Sequence, residues 1–143
     1  MNYNKSINLL KNLPKKLNNF YIKNLKYVIK INNKSKNKNI YDPVTNLDRS
    51  FEKYIRHIIV KEFPEDAILG EEFLEKYSDN DYKWYVDPID GTRAFMVGAP
   101  TWSNLIGLTY RNQPILGLAN FPALNKFYIN DQKKSYLVSN KKS

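Results

Sequence analysis

Apolar residues recur at helical spacing from the start of the chain: Ile7, Leu10, Leu13, Leu17, Phe20, Tyr21, Val28 and Ile31, with Lys and Asn between them. This pattern predicts an amphipathic helix, or two helices parted near Pro14. Residues 32–39 are all polar and read as a loop. Asp42-Pro43-Val44-Thr45 then leads into a second helical pattern, with Phe51, Tyr54, Ile55, Ile58 and Ile59 on one face and Pro64 beyond its end. Thr45 stands three residues before Asp48, the spacing of a capping box.

The pattern then changes to strands. Ala67-Ile68-Leu69 is a short buried strand that delivers Gly70-Glu71-Glu72, and Lys83-Trp84-Tyr85-Val86 is another that delivers Asp87-Pro88-Ile89-Asp90-Gly91-Thr92. Beyond Pro100, Trp102 to Tyr110 reads as a strand, Arg111-Asn112-Gln113 as its turn and Pro114 to Phe121 as the return, with shorter strands at Lys126 to Ile129 and Tyr136 to Val138. Helices first and a meander later predict an α+β class, two helices packed on a mainly antiparallel sheet. No internal repeat is visible. One domain over 1–143 is expected, with 132–143 also reading as a disordered tail.

Composition narrows the chemistry. With 42% apolar and 14% aromatic residues, the 143-residue chain can build a core, and global disorder is excluded. No apolar run approaches the ~18 residues of a membrane-spanning helix, and the first thirty residues lack the marks of a secretory signal. A soluble, cytoplasmic protein is therefore the expectation. The chain has no Cys and a single histidine, His57, so thiolate and histidine-rich metal sites are excluded and oxygen ligands remain.

The formal net charge of +9 is unevenly spread: residues 1–40 carry ten Lys and no acid, whereas 41–90 carry 13 acids against six bases. A basic chain invites a nucleic-acid partner. However, 19 of its 23 basic residues are Lys, matched by 19 Asn, and both have AT-rich codons, so base composition is the simpler source of the charge. Nucleic acid is not the expected partner.

The acidic segments carry the chemistry. Carboxylates gathered at strand ends repel one another unless a cation neutralises them, and hard oxygen ligands suit Mg²⁺, Mn²⁺ or Ca²⁺. In Asp87 to Thr92, Pro88 is expected to stop the strand, Asp87 and Asp90 to turn toward one point with the Ile89 carbonyl between them, and Gly91 to permit a left-handed turn. Thr92 is expected to cap the short helical turn that follows, leaving backbone N–H groups free for an anion. Taken singly, Asp90-Gly91 is an ordinary turn, Glu71-Glu72 a solvated pair, Asp48 a helix cap, His57 an exposed residue, and Trp84 and Trp102 core. The order and spacing together say more.

The series Asp42-Pro-Val-Thr-x-x-Asp48, Gly70-Glu-Glu72 and Asp87-Pro-Ile-Asp-Gly-Thr92, followed by Phe95, Gly98, Pro100 and Leu105-Ile-Gly-Leu108, resembles the inositol monophosphatase superfamily of metal-dependent phosphatases. Arg93-Ala94-Phe95 with Gly98-x-Pro100-x-Trp102 resembles its histidinol-phosphate phosphatase branch. The resemblance implies Mg²⁺-dependent hydrolysis of a small phosphate monoester, most simply histidinol phosphate in histidine biosynthesis. Inositol-1-phosphate or a related sugar phosphate is the alternative.

Carried over by residue, it implies that Glu71, Asp87 and the Ile89 carbonyl hold one Mg²⁺ (or Mn²⁺), and that Asp87 and Asp90 hold a second. Gly91 and Thr92, beside Asp90, would bind the phosphate. Asp48 and the Thr92 hydroxyl would orient and deprotonate the attacking water, with Glu71 as a further catalytic residue and Glu72 in a supporting or third-metal role. Members of this family run to roughly 250 residues as single domains. The resemblance therefore implies the N-terminal half of the phosphatase αβ sandwich, apparently truncated, with one sheet face uncovered. The rest normally brings a Trp-Asp pair whose Asp completes the second metal, and Asp131 is the only acid here after Asp90. A homodimer or a separate C-terminal half is the partner this implies. A catalytically impaired metal- and phosphate-binding module is the competing reading.

Overall fold

The computed structural model describes residues 3–25, 30–36 and 43–139. Val28 and Asp42, which the sequence pattern singled out, lie outside the described residues. Helix α1 spans Tyr3–Asn24 and runs unbroken through Pro14. An interior proline costs about 3 kcal/mol. Leu10 and Leu13 before it and Leu17 after it are fully buried, each contributing about 1.5–3 kcal/mol, so packing decides for the single helix over the pair parted at Pro14. Ile31 is not helical: β1 (Ile31–Asn33) pairs antiparallel with β2 (Pro43–Thr45). The expected loop thus begins after Asn33, because cross-strand pairing to a distant segment organised residues that pattern alone left polar and irregular.

Helix α2 (Asn46–Glu62) starts at Thr45, where the predicted capping box is formed: Thr45 accepts from the Leu47 and Asp48 amides, and the Asp48 side chain reaches back to the Thr45 amide. A six-stranded sheet follows, in the order β3 (Ala67–Gly70), β4 (Tyr82–Asp90), β5 (Ser103–Tyr110), β6 (Gln113–Phe121), β7 (Lys126–Asn130) and β8 (Ser135–Ser139). Only the β3–β4 pair is parallel. The β5–β6 turn is tight, with Arg111 and Asn112 both at positive φ, and Gln113 already pairs with Tyr110. Residues 135–139 form the edge strand β8 rather than a tail, since they register residue by residue against β7.

Pro88 does not stop β4. The strand runs on to Asp90 with its register against β5 broken between Asp87 and Asp90, which accommodates the missing proline N–H. Short helix α3 (Thr92–Met96) follows. The helices cover one face of the sheet. Phe51, Ile55 and Ile59 of α2 pack with Trp84, Ile106, Leu108 and Leu118 in a single apolar cluster. Trp102 lies within it, ring-to-ring with Phe51 at 6.2 Å and Phe95 at 5.1 Å. The opposite face is uncovered and exposes Leu69, Tyr85, Tyr128 and Leu137. Among the described residues, no helix is long and apolar enough to cross a membrane.

Candidate active site

Strand register brings the first two carboxylates together. Gly70 pairs with Val86 in the parallel β3–β4 ladder, so Glu71 and Asp87 emerge side by side where β3 and its pairing end. The Glu71 N–H donates to the Val86 carbonyl at 3.2 Å. Asp87 is half-buried, and no donor reaches its buried Oδ1. Burial first, then the Glu71 carboxylate beside it, and in smaller measure Asp90 and Asp48, push its carboxyl up to about 7. The four acids named from the sequence therefore lie within electrostatic reach of one point, centred on Asp87.

Asp48 is buried at the start of α2, and burial raises its pKa against the lowering effect of its bonds from Thr45. Its Oδ2 accepts the Thr45 N–H at 2.9 Å and the Thr45 hydroxyl. Its Oδ1 is left for the Thr92 hydroxyl, 3.3 Å away. That hydroxyl also lies 3.1 Å from the Ile89 carbonyl. Thr92 is the first helical residue of α3 and not its cap. The cap is Gly91, in the left-handed region at φ 83°, which frees the Thr92 side chain to turn back toward Asp48. Asp90 is exposed and receives the Ser103 hydroxyl at 3.3 Å, so it stands at the rim.

Lys34 is a member that the sequence reading did not include. Its ammonium donates to Glu71 at 2.6 Å and to Glu72 at 2.8 Å. Burial alone would lower its pKa, but the two carboxylates hold it above its ordinary value. Glu72 carries a raised pKa from burial and is also 3.9 Å from Arg49. Among the described residues, no three acidic or histidine side chains stand in a ready-made metal-binding arrangement. Nevertheless, an unpartnered buried carboxylate oxygen, pressed upward in pKa by neighbouring acids in an all-oxygen donor set, fits a hard divalent cation.

The family model for the inositol monophosphatase family matches residues 7–142. The chain belongs to that family. A histidinol-phosphatase of Chlorobaculum parvum is 46% identical over 86 residues, 60% of this chain and 33% of that protein. A fructose-1,6-bisphosphatase/inositol-1-monophosphatase of Aquifex aeolicus is 34% identical over 87 residues, 61% of this chain and 33% of that one. Among solved structures, an IMPase/NADP phosphatase complexed with Mg²⁺ and phosphate superposes with a TM-score of 0.82 at 20% identity, covering 96% of this chain and 52% of that one. The chain thus spans about half the length of this solved member of the fold, and its α+β architecture is that of the family's N-terminal half.

Within this inositol monophosphatase framework, two buried polar side chains escaped the sequence reading. Glu52 lies on the core side of α2, one turn beyond Asp48, and Asn104 on β5 donates to the Pro88 carbonyl at 2.6 Å. The signal for Glu52 was available: a carboxylate four residues from Asp48 and flanking Phe51 belongs to the apolar face of its helix. Asn104 had none, because its partner lies across the sheet.

Proposed function

We propose that this chain is the metal- and phosphate-holding half of a Mg²⁺-dependent phosphomonoesterase acting on a small phosphorylated metabolite, histidinol phosphate first. The observation that carries the reading is Asp87: a carboxylate with an unpartnered buried oxygen, beside Glu71 and under the influence of Asp90 and Asp48. Glu71, Asp87, the Ile89 carbonyl and Asp90 would hold Mg²⁺, with Mn²⁺ as a substitute. When bound, the metal supplies charge neutralisation, a more acidic water and stabilisation of the leaving alkoxide.

The chain's own residues do the rest. The Gly91 and Thr92 amides, at a helix start where N–H groups lack intrahelical partners, bind phosphate oxygens. Asp48, whose Oδ2 is fixed by Thr45, presents Oδ1 to the Thr92 hydroxyl. That pair orients the attacking water and takes its proton, the Thr92 hydroxyl passing one proton to Asp48 as it receives another. Burial raises the Asp48 pKa, which makes its carboxylate a stronger proton acceptor than an exposed aspartate.

The likeness to the histidinol-phosphatase favours histidinol phosphate, and the likeness to the Aquifex protein keeps inositol-1-phosphate or a related sugar phosphate as the alternative. A metal- and phosphate-binding module without turnover is a second reading. A homodimer or a separate C-terminal half would complete the enzyme, in a cytoplasmic setting. Phosphate release from the two substrates with Mg²⁺, run beside calorimetry, separates these outcomes. Release assigns the phosphatase, Mg²⁺ and phosphate binding without release assigns the module, and absence of Mg²⁺ binding overturns both.

A further inference from the structure

The turn that carries Glu71 is gripped from below by α2. Glu52 is fully buried, its Oε2 accepts the Glu72 N–H at 2.6 Å, and its Oε1 accepts from Arg56 Nε at 2.7 Å. Arg56, one helical turn on, extends a second nitrogen to the Phe73 carbonyl at 3.2 Å. Gly70 completes the clamp, since a Cβ there would lie 1.9 Å from Glu52 Oε1: the carboxylate fills the space a side chain would take. Glu71 is thus held on one side by its own N–H to Val86 and on the other by Glu52 through Glu72.

A buried ion pair by itself is weak evidence for stability, because desolvation offsets its attraction. What this one does is geometric. It fixes the backbone on both sides of a carboxylate that must stand beside Asp87. We propose that Glu52 is a positioning residue, setting the Gly70–Phe73 turn and with it the separation of Glu71 from Asp87. The inference rests on the reading of those two acids as metal ligands.

The test uses the full chain and Mn²⁺ alone, with binding followed by loss of the free-ion electron paramagnetic resonance signal, well below the melting temperature. Glu52→Ala is expected to weaken Mn²⁺ binding by about tenfold to a hundredfold, and to speed hydrogen exchange of the Glu72 amide by about tenfold or more. Glu52→Gln retains an acceptor for that amide and is expected to restore most of both. A purely structural role would lower the melting temperature and leave the affinity of the folded protein unchanged, so a folded Glu52→Ala chain that binds Mn²⁺ like the parent overturns the proposal. If Glu52→Ala does not fold, Gly70→Ala, which displaces the carboxylate with a methyl group, is expected to give the same loss. Unchanged binding there overturns the proposal equally. Asp87→Asn separates the two readings: retained Mn²⁺ affinity, or none in the parent, defeats the ligand assignment, and the Glu72 exchange rate then decides alone whether Glu52 sets the turn.

Discussion

Asp87 combines half-burial, an oxygen with no donor and three acidic neighbours, and these make its protonation the most consequential in the molecule. Its folded pKa of about 7 lies above its ordinary 3.8, so the folded chain binds more protons than the unfolded one between those values. The stability this proton confers on the metal-free chain is complete below about 3.8 and is lost as pH rises through about 7. Melting curves without metal are expected to fall across this window, and Asp87→Asn to flatten that fall. Divalent ions compete with the same proton, so apparent Mg²⁺ affinity is expected to climb with pH up to about 7, and Asp87→Asn to abolish binding, both read by calorimetry. Thr92→Ala removes a hydroxyl and no carboxylate. Mg²⁺ binding is expected to persist while phosphate release falls by about a hundredfold or more. Equal loss of both would remove the Thr92–Asp48 pair from the chemistry.

Strand β4 shows how an element aims its side chains. It carries Trp84 and Val86 into the core, keeps register as far as Asp87, then breaks it at Pro88 so that Asp90 leaves the regular alternation. The break is secured from inside. Asn104 donates to the Pro88 carbonyl and accepts from Asn120 at 2.8 Å, and Asn120 in turn donates to Asn18 of α1 at 3.0 Å. This chain of amides, buried at Asn104 and Asn120, ties the acid-bearing segment to a helix far away in sequence. Asn104→Ala leaves the buried Pro88 carbonyl without its donor and takes one of the two acceptors of the Asn120 amide, and is expected to cost about 1–3 kcal/mol in chemical denaturation. A loss under about 0.5 kcal/mol would show that the bulge holds itself. The helix starts were readable from local signals: Thr45 and Asp48 form the box their spacing predicts. The bulge was not, since proline in a strand signals only an interruption. Whether the strand resumes depends on a partner about sixteen residues later.

At the scale of the whole molecule, the sheet has one face buried under α1 and α2 and one face open. The two faces should answer differently to substitution. Trp102→Ala, within the aromatic cluster, is expected to cost about 3–5 kcal/mol. Tyr85→Lys, on the open face, is expected to stay within about 0.5 kcal/mol when both are measured by denaturant melts. A large cost at Tyr85 would mean that the face is covered in solution. What the sequence alone determined was everything set by near neighbours in the chain. The strand order along the meander, the face of α2, the helix cap and the four acids at segment ends follow from periods of 2 and 3.6 and from turn chemistry. Those rules act within a few residues. Only the tertiary structure decided the unbroken α1, the β1–β2 pair, the Lys34 bridge to Glu71 and Glu72, and the Glu52 clamp. Each joins residues whose separation along the chain gives no local signal, and each is settled by packing or by a buried polar group that must find its partner wherever the fold supplies one.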